Sequence, residues 1–216
     1  MTAITIDGPS GAGKSTIAMK LAEKIGYNYL DTGAMYRYIT FYLQQKNIDL
    51  FNKELICETI LNEDKLIDEV INLDSENNPY IRSKSVTKNV SLVSSYPCVR
   101  EFLVELQRQI SKKSNIVMDG RDIGSVVLPD AEYKFYLTAS EEERARRRYL
   151  QYVDSNTQSF EEVLQDIIQR DQYDMNRSIS PLVIPNNATI IDSTELSIDD
   201  VVNKMLAVIK GENNAL

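Results

Sequence analysis

The sequence predicts an α/β fold in which a parallel sheet is flanked by helices, and three observations carry that expectation. Five short β-like runs alternate with helical stretches along 216 residues, the order that builds parallel sheets through helical crossovers. The first run leads directly into a glycine-rich turn and a helix start, "GPSGAGKS" (8–15). One polar region, about 62–95, breaks the rhythm and reads as an insert, not as a sheet strand.

In chain order, "AITID" (3–7) is an apolar strand ending at a glycine, and Lys14 to Ile25 reads as a helix. "YNYLD" (27–31) is expected as the second strand, followed by a helix from about Ala34 to Gln45. In the insert, "SENNP" (75–79) is a turn signal, and "LIDEVINLDSENNPY" (66–80) has room for a hairpin but hardly for three full strands. "NIVMD" (115–119), "EYKFYLTA" (132–139) and "ATIID" (188–192) read as three more strands, with helical patterns at 97–112, 141–153, 159–177 and 197–210. A second polar break, "VDSNTQS" (153–159), follows an arginine run, and no internal repeat stands out.

Composition narrows the chemistry. A net charge of −8 argues against a general nucleic-acid or membrane-surface binder, so any anion must be held by a local positive cluster. The N-terminus has no secretory signal, and no run approaches the ~20 apolar residues that span a bilayer. Cytoplasmic localisation is therefore expected, with neither nucleic acid nor membrane as partner. Cys57 and Cys98 form no CxxC pair and are expected as two buried thiols of a reducing cytosol. The chain has no histidine. That excludes ordinary triads and His-based zinc sites, and leaves Lys, Arg, Asp, hydroxyls and a hard metal ion to do the chemistry.

"GPSGAGKS" fits G-x-x-x-x-G-K-[ST] between a strand and a helix, the context the motif requires. Across Gly8, Pro9, Ser10, Gly11, Ala12 and Gly13 the glycines let backbone N–H groups converge on phosphate oxygens, and the helix start at Lys14, Ser15 and Thr16 adds positive potential. Lys14 is expected to face solvent without nucleotide and to reach the β- and γ-phosphates with it, while the Ser15 hydroxyl can ligate Mg²⁺. The motif predicts binding of a nucleoside triphosphate. No guanine-reading N-K-x-D follows, since "NKML" (203–206) lacks the Asp.

"RARRR" (144–148) admits two readings. Ser140 and Glu143 have capping-box spacing, and Glu142/Arg146 and Glu143/Arg147 are four-apart pairs, so the run can be a solvated helix face. Alternatively, Arg144 and Arg148 share a face that can meet a nucleotide, with Arg147 nearby as a phosphate candidate.

Seven stretches in order resemble the bacterial cytidylate kinases, a branch of the nucleoside monophosphate kinases: "IDGPSGAGKST" (6–16), "DTGAMYR" (31–37), "YPCVRE" (96–101), "DGRDIGSVVLPDA" (119–131), "ERARRR" (143–148), "RDQYDMNRSISPL" (170–182) and "IDST" (191–194). The resemblance runs from Ile4 to about Val201. It implies the P-loop NTPase fold with strand order 2-3-1-4-5, and γ-phosphoryl transfer from ATP to CMP or dCMP. By the same resemblance, the core spans 1–61, 96–139 and 159–216, a monophosphate-binding insert 62–95, and a lid 140–158.

It further implies that Thr32, Arg100 and Asp122 read the base, that Arg37, Arg121 and Arg177 hold the monophosphate, and that Ser91, Arg170 and Asp174 bind the sugar. Thr32 stands where the family often has Ser, and keeps the hydroxyl. The chemistry suits these residues: guanidiniums fork onto phosphate oxygens, and carboxylates accept from amino and hydroxyl groups. Lys14, Arg121, Arg144, Arg148 and Arg177 are the expected charge stabilisers of transfer. Tyr36 is either a wall of the monophosphate pocket or plain packing. Asp119 is either a Mg²⁺-side carboxylate or a helper orienting Arg121, and Arg170/Asp174 can also be a simple four-apart ion pair. A monomer is expected. The alternatives are a P-loop kinase for another monophosphate, UMP above all, and a P-loop regulatory switch.

Overall fold

The computed structural model describes residues 1–73, 78–151 and 158–211. Two compact units emerge: 1–30 with 113–216, and 31–112.

The first unit contains the sheet. Strands β1 (Ala3–Asp7), β2 (Asn28–Asp31), β3 (Ile116–Gly120), β4 (Tyr133–Thr138) and β5 (Thr189–Asp192) lie in the order β2-β3-β1-β4-β5, as the resemblance implied. β1 pairs in parallel with β3 and β4, and β4 with β5. Ile4, Ile6, Val117, Phe135 and Leu137 are fully buried. Central parallel strands see no solvent on either face, which is why they read as continuous apolar runs. The helix α1 (Lys14–Ile25) packs Ile17, Ala18 and Leu21 into this core beside Val201, Val202 and Met205 of the C-terminal helix Ile198–Ile209.

The order β3-β1-β4 sets the site. Register pairs Ile6 with Asp119 and Asp7 with both Gly120 and Tyr136. The phosphate loop and the "DGRD" segment therefore leave the sheet side by side at its carboxyl edge, where open α/β sheets bind ligands.

The second unit is helical. It contains α2 (Thr32–Gln45), α3 (Lys53–Leu61), α4 (Asp64–Ile71), α5 (Lys84–Val93) and α6 (Pro97–Ser111), with a 3₁₀ turn at Pro79–Arg82. Asp31 caps α2 by accepting from the Ala34 N–H at 2.8 Å. α2 packs against α4, α5 and α6.

Two expectations are corrected here. The hairpin expected within 66–80 is not formed by the described part of that stretch: residues up to Ile71 lie in α4, and a 3₁₀ turn starts at Pro79. The reason is periodicity, since Leu66 and Val70 are four apart and both buried, a helical and not a two-residue repeat. The second correction concerns Cys57 and Cys98, which are joined in a disulfide between α3 and α6. Spacing of 41 residues carried no sign of the pairing, because α3–α6 packing alone brings the two together.

The helix expected at 141–153 is α7 (Glu141–Gln151), and the one expected at 159–177 is α8 (Phe160–Asn176). The polar break at 153–159 falls mostly on 152–157, outside the described residues.

Candidate active site

Between β1 and α1 the chain turns through Gly8 to Gly13. The N-cap of α1 is Gly13, which has no side chain to satisfy the first N–H groups. Those donors and the positive end of the helix dipole are thus available to an anion. Gly11 has φ +77°, and a Cβ there would lie 2.9 Å from the Arg144 carbonyl oxygen, so helix α7 closes on the loop only because Gly11 has no side chain.

Lys14 is buried, and its Nζ donates to the Pro9 carbonyl at 2.7 Å. This corrects the expectation of a solvent-facing lysine: the loop wraps its ammonium. Burial, helped by the charge on Arg121, lowers its pKa from 10.5 to about 7, against the opposing pull of Asp119 and Asp171. A testable consequence follows from the sign of that shift. At pH 8, where the triphosphate itself is fully ionised, most Lys14 is neutral without nucleotide. Phosphate oxygens placed against Nζ would restore the ammonium, so MgATP binding should take up close to one proton at pH 8 and almost none at pH 6. Calorimetry in two buffers of different ionisation enthalpy measures this, and Lys14→Ala should abolish the uptake.

Beside the lysine, Ser15 Oγ donates to Asp119 Oδ2 at 2.9 Å, and the Tyr29 hydroxyl donates to Asp119 Oδ1 at 2.8 Å. The Asp119 carboxylate thus lies against the Ser15 hydroxyl. Arg121 Nε donates to Asp174 Oδ2 at 3.0 Å, and the Asp119 charge also acts on the guanidinium. Arg177 approaches two carboxylates, Asp122 at 3.5 Å and Asp174 at 4.0 Å. Burial pushes the Asp174 carboxyl up, but Arg121, Arg170 and Arg177 together outweigh it and hold it below the usual carboxylate range.

The arginine run divides by position. Arg144 is buried, with Nε donating to Ala139 O at 3.0 Å and Nη1 to Ser10 O at 2.9 Å and to Asp171. Asp171 in turn accepts from the Ser10 N–H at 2.8 Å. Arg144 and Asp171 together clamp the phosphate loop from outside. Arg148 Nη1 lies 3.5 Å from Ser10 Oγ, on the same face as Arg144. Arg147 bonds Ser193 and Glu143, which ties "IDST" to α7. Arg146 points outward, and its partner is Glu143 three residues back at 2.7 Å, not the expected Glu142.

The helical unit places Thr32 buried at the first position of α2 and Tyr36 one turn later. Arg100 is buried in α6, donates to Ser94 O at 3.2 Å, and lies 5.3 Å from the Tyr36 ring centroid, a cation–π contact. Tyr36 thus lies against the Arg100 guanidinium. Arg37 donates to Thr87 Oγ1 of α5 at 2.8 Å, and Ser91 follows Thr87 by one turn.

Asp171 and Tyr29 escaped the sequence reading. Asp171 carried a signal, being three residues before Asp174 on one helix face. Tyr29 carried none, because a tyrosine in a strand is ordinarily packing.

Around its phosphate loop the first unit concentrates cationic side chains held by buried carboxylates, which is the equipment of a P-loop phosphotransferase. Comparison with known proteins identifies the branch. Residues 4–211 match the family model described as cytidylate kinase. The chain is similar to the cytidylate kinase of Caldanaerobacter subterraneus subsp. tengcongensis, 50% identical over 210 residues covering 96% of this chain and 94% of that one. It is likewise similar to those of Thermosipho africanus (47%; 95% and 93% covered) and Clostridioides difficile (46%; 95% and 97% covered). The chain belongs to the cytidylate kinase family. Among solved structures, a shikimate kinase from Bacteroides thetaiotaomicron shares the fold at TM-score 0.52 and 15% identity, over 97% of this chain and 98% of that one. An uncharacterized protein from Eubacterium ventriosum does so at 0.56 and 12%, over 97% and 99%.

Proposed function

We propose that the protein transfers the γ-phosphoryl group of ATP to CMP or dCMP, giving ADP and CDP or dCDP, in pyrimidine nucleotide metabolism. The observation that carries this is the phosphate loop with its wrapped Lys14 and the Ser15–Asp119 pair, in a chain that matches cytidylate kinases over nearly its whole length.

The loop N–H groups and Lys14 bind the triphosphate, and Arg148 adds positive charge beside Ser10. Arg144 holds the loop in shape. The Ser15 hydroxyl and Asp119 carboxylate are hard oxygen donors 2.9 Å apart and fit Mg²⁺; when bound, the ion would neutralise charge on the β- and γ-phosphate oxygens. Arg37, Arg121 and Arg177 are assigned to the acceptor phosphate, Thr32, Arg100 and Asp122 to the cytosine edge, and Ser91, Arg170 and Asp174 to the sugar. Asp119 and Tyr36 support them. The acceptor oxygen is already anionic, so transfer requires alignment and charge stabilisation, not a general base. Residues 62–95 serve monophosphate binding and 140–158 act as the lid. The protein works as a cytoplasmic monomer with no nucleic-acid or membrane partner; among the described residues no helix is long and apolar enough to cross a membrane.

A coupled assay of ADP release against a panel of monophosphates tests the proposal. CMP and dCMP should support turnover, with UMP far weaker. Preference for UMP would move the substrate to the neighbouring pyrimidine. Slow ADP release that no monophosphate accelerates would favour a regulatory switch.

A further inference from the structure

Asp7, the last residue of the central strand β1, is fully buried between its register partners Gly120 of β3 and Tyr136 of β4. A carboxylate there is costly unless every lone pair is used. Both oxygens are: Oδ1 accepts from the Ile123 N–H at 2.8 Å and Oδ2 from the Gly124 N–H at 2.7 Å. These are the leading donors of a π-helical turn, Ile123–Val127, that begins directly after Asp122.

Asp122 occupies the N-cap of this turn. An aspartate there ordinarily caps its own helix, yet Asp122 makes no side-chain cap bond. Asp7 supplies the cap from another strand, and the Asp122 carboxylate instead approaches Arg177 at 3.5 Å. The fit is close. A Cβ on Gly124 would stand 2.7 Å from Thr5 Oγ1, 3.1 Å from Pro185 Cγ and 3.2 Å from Asp7 Oδ2, so the turn docks on β1 only with glycine at 124. Burial and the nearby Asp122 charge raise the Asp7 pKa from 3.8 to about 6, against the lowering pull of the Gly124 and Ile123 N–H groups and of Lys14.

From this geometry we infer that Asp7 is a positioning residue for acceptor recognition: it caps the Ile123–Val127 turn in trans so that the Asp122 side chain is presented to the nucleobase and not to its own backbone. The inference rests on the proposed assignment of Asp122 to the cytosine edge. Asp7 touches no substrate. It follows Asp122 in effect although it adjoins the phosphate loop in sequence, so its loss should appear in base preference before it appears in ATP affinity.

The test compares Asp7→Asn, Gly124→Ala and Asp122→Asn with the unaltered protein. Dissociation constants for CMP, UMP and MgATP are measured by calorimetry, and melting temperatures beside them. Asn at 7 keeps one acceptor and turns a donor toward the second N–H. Gly124→Ala keeps Asp7 but pushes the turn off β1, and so replaces Asp7→Asn if that variant fails to fold. Both should weaken CMP about tenfold while UMP changes little, lowering the CMP-over-UMP preference as Asp122→Asn does, with MgATP affinity within about twofold. If Asp122→Asn lowers the preference and the other two leave it intact, Asp7 is only structural and the inference is overturned. If Asp122→Asn itself leaves the preference intact, the base assignment fails and the inference falls with it.

Discussion

Lys14→Ala should lower kcat by about 10²–10³-fold, the loss seen when a single charge-stabilising donor is removed from a transition state, while the protein stays folded. Nothing else on the phosphate loop replaces an ammonium that the loop itself encloses, with Nζ 2.7 Å from the Pro9 carbonyl. Stability should change little. The variant loses one buried hydrogen bond, but it also removes a desolvated charge whose pKa has fallen to about 7, and the two terms oppose each other. Single-turnover phosphoryl transfer and a thermal melt separate the two. A clearly lower melting temperature with near-normal transfer would make Lys14 a structural residue.

Reduction of the Cys57–Cys98 disulfide should cost about 4 kcal/mol of stability, the loop-closure entropy returned to the unfolded chain by opening a 41-residue separation. For a chain of this size that is roughly 10 °C in melting temperature. Cys57→Ser and Cys98→Ser should each reproduce the shift, and the double variant should add little more, because one bond is removed in every case. Thiol titration of the unreduced, denatured protein should find no free thiol. Two titratable thiols there, with no effect of dithiothreitol on the melt, would restore the reading of two separate cysteines.

The sheet was legible because parallel strands buried on both faces announce themselves as short apolar runs, and "AITID" and "NIVMD" became β1 and β3 within a residue. The hairpin expected within 66–80 was misread because the stretch was judged by its turn signal and length, not by the four-residue spacing of Leu66 and Val70. The arginine run was half legible. Helical geometry put Arg144 and Arg148 on one face, but it could not show that Arg144 would be buried, since its partners, Ser10 O and Asp171, lie 134 and 27 residues away.

By itself the sequence determined what local chemistry determines: a glycine-rich turn between strand and helix, the absence of histidine, and clustered arginines that leave phosphate transfer as the chemistry at hand. Tertiary structure alone decided which charge answers which. Asp174 turned to Arg121, Asp171 to Arg144, Asp7 to the turn after Asp122, and Cys57 to Cys98. The physical reason is that buried charges and thiols find partners by proximity in the folded core, where desolvation makes an unpaired group costly, and sequence separation says nothing about that proximity.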